Sequence, residues 1–204
     1  MINTKNKPYS ESCDQNRHAI LTVIRPLLLN STSVLEIGSG TGQHAVYFSE
    51  KLPHLIWNTS DRNENIAGIK LWLSDKNSKK IPQPVELDVR QEIWPIISFD
   101  TVFTANTCHI MNQQSVEIMF KRIGELLPEG GQLIIYGPFN YNHQYTSPSN
   151  QQFDLWLKSR DPESKIRNFE DLNDMAEAAG MSLINDYEMP ANNRILHWKK
   201  TKTC

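Results

Sequence analysis

Short apolar runs alternate with amphipathic segments along most of the chain. The apolar runs have the length of buried strands, and the segments between them carry apolar residues at helical spacing. Pro26 lies in the first amphipathic segment and is expected to kink or end that helix. The pattern predicts strands at 33–37, 55–60, 83–89, 99–106 and 132–139, and helices at 13–29, 42–52, 63–76 and 113–127.

The strands and helices follow one another with connections too long for hairpins, which favours a parallel sheet with helices on both faces. The last two runs, 181–189 and 193–200, differ because only the short stretch PANN joins them. They are expected to form an antiparallel hairpin that closes the chain. The length of 204 residues fits a single domain over 1–204.

Residues 140–168 break the alternation with a long polar and aromatic stretch. Loops of this length inside compact domains are usually functional or disordered. Phe153, Trp156 and Leu157 suggest a short docked helix, so this insertion is expected to be a lid or a substrate wall. A helix follows over 168–180, with Asn168 as N-cap and Gly180 just after its end.

Composition narrows the class of partner. The net charge of −2 argues against a nucleic-acid partner, which would favour a basic stripe. Cys13, Cys108 and Cys204 lack the spacing of a zinc site, so no metal is expected, and so sparse a cysteine count fits a reducing compartment. The start is polar, and no apolar run approaches the roughly 18 residues of a membrane helix. We therefore expect a cytoplasmic protein with no membrane partner.

The first strand runs into the glycine-rich stretch VLEIGSGTGQHA, residues 34–45. Glycine lets a chain turn tightly and lets a ligand approach the backbone, and the next helix begins with free N–H groups. Gln43 stands where the dinucleotide fingerprint has its third glycine, which disfavours a pyrophosphate cradle. The loop alone is compatible with a nucleoside-like ligand or with a plain turn.

Three carboxylates near successive strand ends favour the interpretation of the loop as part of a ligand site. Asp61 ends the second strand, where an acid can accept hydrogen bonds from both ribose hydroxyls, although it can also cap the next helix. Asp88 ends the third strand and can accept from an adenine amino group, or cap the turn that follows. Glu36 lies in an apolar strand end, where an unpaired carboxylate is costly. Together they indicate an adenosine pocket.

The run Glu36-Ile37-Gly38-Ser39-Gly40-Thr41-Gly42, followed by Asp61 and Asp88, resembles the class I S-adenosylmethionine-dependent methyltransferases. The resemblance implies an α/β, Rossmann-like, doubly wound sheet of seven strands, mostly parallel with an antiparallel final strand, with helices on both faces. It also implies S-adenosyl-L-methionine as cofactor and S-adenosyl-L-homocysteine as product.

The chain resembles more narrowly one methyltransferase-like family formerly listed as a domain of unknown function, with bacterial members and a vertebrate one. The segments that carry this resemblance are KPYSESCDQNRHAIL (7–21), SGTGQHA (39–45), ANTCHIM (105–111), YGPF (136–139), SNQQFD (149–154), RDPES (160–164) and MPANN (189–193).

By this resemblance Gly38, Gly40 and Gly42 face the methionine part of the cofactor, Asp61 holds the ribose and Asp88 the adenine. Asn16 and Arg17 reach the carboxylate of the cofactor; the alternative is that they simply lie at the exposed start of a helix. The other residues expected in the cofactor site are Val89 at the adenine, Asn106 near the sulfonium, Glu36, Ser39, His44 and Arg62.

Two residues are candidates for catalysis. His109 follows the fourth strand and is expected to act as a base, with a packed loop histidine as the alternative. Tyr136 lies at the end of the fifth strand, where a core aromatic is the alternative reading. Cys108 is adjacent to His109, so an extended backbone would point the two side chains apart and disfavour a dyad.

The sequence therefore predicts an S-adenosylmethionine-dependent methyltransferase acting on a small-molecule acceptor. The alternative is a non-catalytic module that binds the cofactor and serves a protein partner, with an exposed apolar patch at the insertion. A nicotinamide-dependent oxidoreductase is disfavoured by Gln43. The sequence leaves the acceptor and the oligomeric state open.

Overall fold

The computed structural model describes residues 7–74, 81–95 and 98–201. The chain forms two compact units, residues 1–103 and 104–204, which are described in turn. The expectation of a single domain stays a prediction, and Cys204 lies outside the described residues.

Seven strands form a mixed sheet in the order β3-β2-β1-β4-β5-β9-β8. Strand β1 is parallel to β2 and β4, whereas β9 is antiparallel to β5 and β8. The predicted mostly parallel, Rossmann-like sheet with an antiparallel final strand is thus confirmed. The strands are β1 (Ser33–Ile37), β2 (Ile56–Asp61), β3 (Val85–Glu86), β4 (Thr101–Ala105), β5 (Gln132–Gly137), β6 (Phe139–Asn140), β7 (Arg167–Asn168), β8 (Met181–Met189) and β9 (Asn193–Lys200).

The sheet is surrounded by helices that alternate with the strands along the chain. Helix α1 ends one residue after Pro26, as expected, but it starts two residues earlier than the pattern suggested, because the Ser10 hydroxyl caps it by accepting from the Cys13 backbone N–H. The helices are α1 (Glu11–Leu27), α2 (Gln43–Lys51), α3 (Asn63–Leu73), α4 (Gln113–Leu126), α5 (Pro148–Arg160) and α6 (Phe169–Ala178).

In the first unit, β1 is buried along its whole length, as a strand covered on both faces should be. Aromatic rings fill the adjoining core: Phe48 on α2 lies 5.3 Å from Trp57 and 5.7 Å from Phe103 between ring centres. Strand β3 is shorter than the predicted 83–89 because the backbone turns at Asp88, whose carbonyl accepts from the Gln91 N–H.

In the second unit, β8 and β9 form the predicted hairpin, joined by a 3₁₀ turn at Pro190–Asn192. The insertion contains helix α5 and the parallel strand pair β6 and β7. The expected helix is present and Leu157 is buried, but Trp156 is half exposed and does not dock. Asn168 precedes α6 as predicted, yet its side-chain amide donates to Asp171 and does not cap the helix. Gly180 adopts the expected left-handed conformation.

Two glycines of the second unit provide a matched test of its packing. A Cβ at Gly124 would lie 2.4 Å from the Ala179 carbonyl oxygen, whereas a Cβ at Gly130 would meet no atom within 4 Å. Gly124→Ala should lower the free energy of unfolding by about 3 kcal/mol through overpacking. Gly130→Ala should cost about 1 kcal/mol, because its positive φ strains alanine. Urea unfolding measures both values, and equal losses would contradict the packing described.

Candidate functional site

The glycine loop follows β1 in the first unit. Gly38, Gly40 and Gly42 all have left-handed φ values, 71°, 57° and 88°, which side-chain-bearing residues rarely adopt. A Cβ at Gly40 would meet nothing within 4 Å, so the backbone there borders open space. A Cβ at Gly42 would lie 3.3 Å from Ile69, so this glycine allows α2 to approach α3. Gly40 is therefore free to face a ligand, whereas Gly42 serves packing.

Asp61 ties this loop to the end of β2. Its Oδ2 accepts from the Gly40 backbone N–H at 2.7 Å, and its Oδ1 accepts from the Arg62 backbone N–H and the Asn65 side chain at 2.8 Å each. The carboxylate is 7% exposed. It therefore holds the loop and also anchors the first turn of α3. Its expected role as an acceptor for the ribose hydroxyls stays a prediction.

Asp88 lies beside an open cleft of about 560 Å³ in the same unit. Its carboxylate forms a forked ion pair with Arg90, at 2.9 Å to Nε and 2.5 Å to Nη2. The Arg90 hydrogen bonds lower the pKa of Asp88 to about 2. Asp88 also accepts from the Arg90 backbone N–H, as a turn cap would. The cleft is lined by Arg62, Asn63, Glu64, Glu86, Asp88, Arg90 and Gln91.

Two further residues of the predicted set belong to the frame of this region. Val89 is buried, and its carbonyl accepts from the Trp94 indole at 3.2 Å. The Ser39 backbone N–H donates to the Ser60 carbonyl at 3.0 Å, and the Ser60 N–H donates back to the Ser39 hydroxyl at 3.1 Å. The loop and the end of β2 are thus joined at two points.

Glu36 lies in β1 and is 2% exposed. Burial raises its pKa to about 7, and the nearby Asp61 charge adds to this, while a 3.1 Å hydrogen bond from the Trp57 indole opposes it. The carboxyl is therefore hydrogen-bonded, as its burial in an apolar strand required. The raised pKa leaves it partly protonated near neutral pH.

Helix α1 contributes Asn16 and Arg17. The Asn16 Oδ1 lies 2.7 Å from the Nε2 of buried His44, and burial lowers the pKa of His44 to about 4, so the imidazole is neutral at physiological pH. Arg17 pairs with Asp14 at 2.7 Å and stacks its guanidinium on Tyr47. Both residues are half-buried, so they are more enclosed than an exposed helix start.

In the second unit, Asn106 and His109 lie together at the end of β4. Asn106 has a left-handed φ of 59°, and its N–H donates to the Tyr136 carbonyl at 2.8 Å. A Cβ at Gly137 would lie 3.7 Å from Asn106 Oδ1 and 3.9 Å from His109 Nδ1, so the bare glycine leaves room between them. Tyr136 itself is buried in β5, where the core-aromatic alternative also accounts for it.

His109 is 7% exposed and packs its ring edge-on against Phe153 of α5, with 5.2 Å between ring centres. Burial lowers its pKa to about 4, and the Arg167 charge adds to this effect. The imidazole is therefore a neutral hydrogen-bonding group and a weak base. Burial raises the pKa of neighbouring Cys108 to about 12, so no thiolate is available for a dyad.

Arg167 is the important residue of this region that sequence reasoning missed. It is 3% exposed, and its Nε donates to the Cys108 carbonyl at 3.0 Å. The Nη2 donates to the Met111 and Glu163 carbonyls, and the Nη1 donates to the Gln113 side chain. One buried guanidinium thus fixes the segment after β4 to the insertion. No sequence signal marked it, because arginine side chains usually lie on the surface.

The described residues contain neither a candidate metal site nor a candidate membrane-spanning helix. Over 7–74, 81–95 and 98–201, no group of three or more His, Cys, Asp or Glu side chains is placed to hold a metal ion. Within the same ranges, no helix has both the length and the apolar character needed to cross a membrane.

A comparison with protein-family models assigns the chain. A family described as "Protein of unknown function (DUF938)" matches residues 7–200. The chain belongs to the DUF938 family. This assignment covers both units and supports the narrower resemblance found in the sequence.

Three solved structures that are similar to this DUF938 chain were solved with SAM, SAH or a small molecule. Human N-acetylserotonin methyltransferase in complex with SAM matches at 17% identity and a TM-score of 0.79, over 94% of this chain and 53% of that one. PigF with SAH matches at 16% identity and a TM-score of 0.79, over 92% of this chain and 56% of that one. An O-methyltransferase family 2 protein from Planctomyces limnophilus in complex with apigenin matches at 17% identity and a TM-score of 0.74, over 85% of this chain and 52% of that one. The chain spans about half the length of these structures, and the likeness establishes a class I methyltransferase fold.

The protonation of His109 is directly measurable. NMR titration of the histidine signals, assigned with a His109→Gln variant, should give His109 a midpoint near 4, compared with an ordinary value of 6.5. Because the folded pKa lies below the unfolded one, neutral His109 adds stability above pH 6.5 that is lost as the pH falls toward 4. A midpoint at or above 6.5 would mean that the imidazole is not buried as described.

Proposed function

We propose that this DUF938 member is an S-adenosyl-L-methionine-dependent methyltransferase with a small-molecule acceptor. One observation carries the proposal: the Gly40 N–H is bonded to the carboxylate of Asp61, and the next residue, Arg62, lines an open cleft together with Asp88. This arrangement combines exposed backbone, a fixed acid and room for a nucleoside in one unit. The class I methyltransferase fold supports the same cofactor.

The cleft residues fit the adenosine part of the cofactor. In this proposal Asp61 accepts hydrogen bonds from the ribose, and Arg62, Asp88 and Val89 surround the adenine. Because its low pKa keeps Asp88 charged, the carboxylate is a constant hydrogen-bond acceptor at neutral pH. Gly40 lets the methionine part approach the backbone, supported by Gly38, Gly42, Ser39 and Glu36.

The residues expected to take part in methyl transfer belong to the second unit, in the region around Asn106 and His109. When bound, the cofactor supplies a methyl group on a sulfonium, and much of the catalytic effect comes from positioning the acceptor in line with it. Asn106 would line this region and His109 would orient the acceptor by a hydrogen bond. Proton removal by His109 would be confined to acceptors that are already acidic, because its pKa is low. Tyr136 stays a prediction as a catalytic residue.

The proposal of a small-molecule acceptor draws on the structural neighbours. One of them holds apigenin, and another is the mitomycin 7-O-methyltransferase MmcR, at 15% identity and a TM-score of 0.75 over 85% of this chain and 50% of that one. The acceptor, the cytoplasmic location and a lid role for 140–168 stay predictions.

A second candidate is a non-catalytic module that binds the cofactor and serves a protein partner. The observation in its favour lies on the insertion, where Leu155 and Trp156 of α5 are 60% and 50% exposed. Ile110, in the segment after β4, is 56% exposed. Apolar side chains left in water at these positions are what that alternative anticipated.

Calorimetric titration with S-adenosylhomocysteine tests the cofactor site. We expect micromolar binding by the wild-type protein and a loss of about 10- to 100-fold in Asp61→Ala, which removes charged hydrogen bonds. Asp100→Ala is the matched control, since Asp100 also accepts from a backbone N–H, that of Thr32, but at the opposite end of the parallel strands. It should bind like the wild type.

The outcomes separate the two candidates. Binding that Asp61→Ala weakens, together with methyl transfer to any member of a metabolite pool, supports the enzyme. Binding with no transfer to that pool, and capture of a protein through Trp156, favours the module. Wild-type protein that binds no S-adenosylhomocysteine contradicts both.

A further inference from the structure

The residues before α1 cross the surface of α3. We call residues 7–10 the N-terminal strap. The Trp72 indole donates to the Pro8 carbonyl at 2.6 Å, and Lys7 Nζ lies 3.8 Å from the centre of the Trp72 ring. A Cβ at Gly68 would lie only 2.7 Å from Pro8 Cγ, so the absence of a side chain at Gly68 makes the seat for Pro8.

The other end of the strap is fixed by Gln43, the first residue of α2. The Ser10 N–H donates to Gln43 Oε1 at 2.6 Å, and Gln43 Nε2 donates to the Ser10 carbonyl at 3.2 Å. The Thr41 hydroxyl adds a 3.0 Å bond to the same Oε1. Gln43 is 3% exposed, and its amide forms hydrogen bonds with both the N–H and the carbonyl of Ser10. This explains a glutamine where a dinucleotide-binding loop would have glycine.

The strap determines where α1 begins, and the first two turns of α1 carry Asn16 and Arg17. Asn16 meets His44, which directly follows Gln43, at 2.7 Å. Arg17 lies over the Tyr47 ring, one turn further along α2. Its Nε is buried without a hydrogen-bond partner in the described residues. Among the described residues Arg17 is paired with Asp14 through Nη1 alone, so its Nε stays an unsatisfied cationic donor, which favours an anionic ligand group.

We propose that Gln43 is a positioning residue for the amino-acid end of the cofactor. It fixes the strap, and the strap holds Asn16 and Arg17 over the helix that follows the glycine loop, where they meet the ligand carboxylate. Gly68 and Trp72 form the seat that keeps the strap in place. The inference rests on the proposed function and adds a recognition element outside the glycine loop and its acids.

Two ligands separate this role from a merely structural one. S-Adenosylhomocysteine carries the amino-acid end, whereas 5′-methylthioadenosine has the same nucleoside without it. Gln43→Ala should weaken S-adenosylhomocysteine binding about ten-fold or more, since charged contacts are misplaced. It should change 5′-methylthioadenosine binding by less than about two-fold. Calorimetry measures both affinities.

Gly68→Ala provides an independent variant, because alanine favours the helix while its Cβ displaces Pro8. It should reproduce the selective loss for S-adenosylhomocysteine and raise hydrogen exchange over residues 7–17. Lys70→Ala is the matched control, since Lys70 is exposed on the same helix. It should bind both ligands like the wild type.

Equal losses for the two ligands in Gln43→Ala and Gly68→Ala would overturn the inference and leave the cofactor site standing. Unchanged binding of both ligands in both variants would overturn it as well. Wild-type protein that binds neither ligand would overturn the proposed function, and this inference with it. Selective loss in the variants supports both.

Discussion

The hydrogen bond from the Gly40 N–H to the Asp61 carboxylate is the contact on which the first unit's site depends. It joins the loop after β1 to the end of β2, two points 21 residues apart along the chain. The Asp61 carboxylate is buried, and this bond satisfies one of its oxygens where an unpaired charge would be costly. Together with the two hydrogen bonds between Ser39 and Ser60, this bond fixes the course of the loop against the end of β2.

Charge is distributed around that bond in a graded way. Asp88 is kept ionised by Arg90, whereas burial pushes the Glu36 carboxyl toward its neutral form. Asp61 accepts three hydrogen bonds, from the N–H groups of Gly40 and Arg62 and from the Asn65 amide. Three acids of similar sequence context therefore have different environments. The difference comes from their surroundings in space, which are the Arg90 guanidinium for Asp88 and the buried interior of the sheet for Glu36.

Much of the fold could be predicted from the sequence because the strands are short, apolar and separated by clear helical patterns. Strand β1 matches its prediction at both ends, and the closing hairpin also does. The strand predicted over 83–89 was too long, since Asp88 turns the backbone. The glycines and acids were visible as a motif. The roles of Gln43, Gly68 and Arg167 were not, because each depends on a contact with a residue far away in the sequence.

Arg167 holds the backbone of the segment after β4 without contacting the side chain of His109 through a hydrogen bond. Its guanidinium binds the carbonyls of Cys108 and Met111, on either side of His109, and makes no demand on the side chain between them. The backbone around residue 109 is therefore held through its carbonyls, by Arg167 and by the Lys165 N–H, in addition to the packing of the His109 ring. Evolution can exchange the side chain at that position, and with it the character of what the loop recognises, while the loop itself keeps its shape.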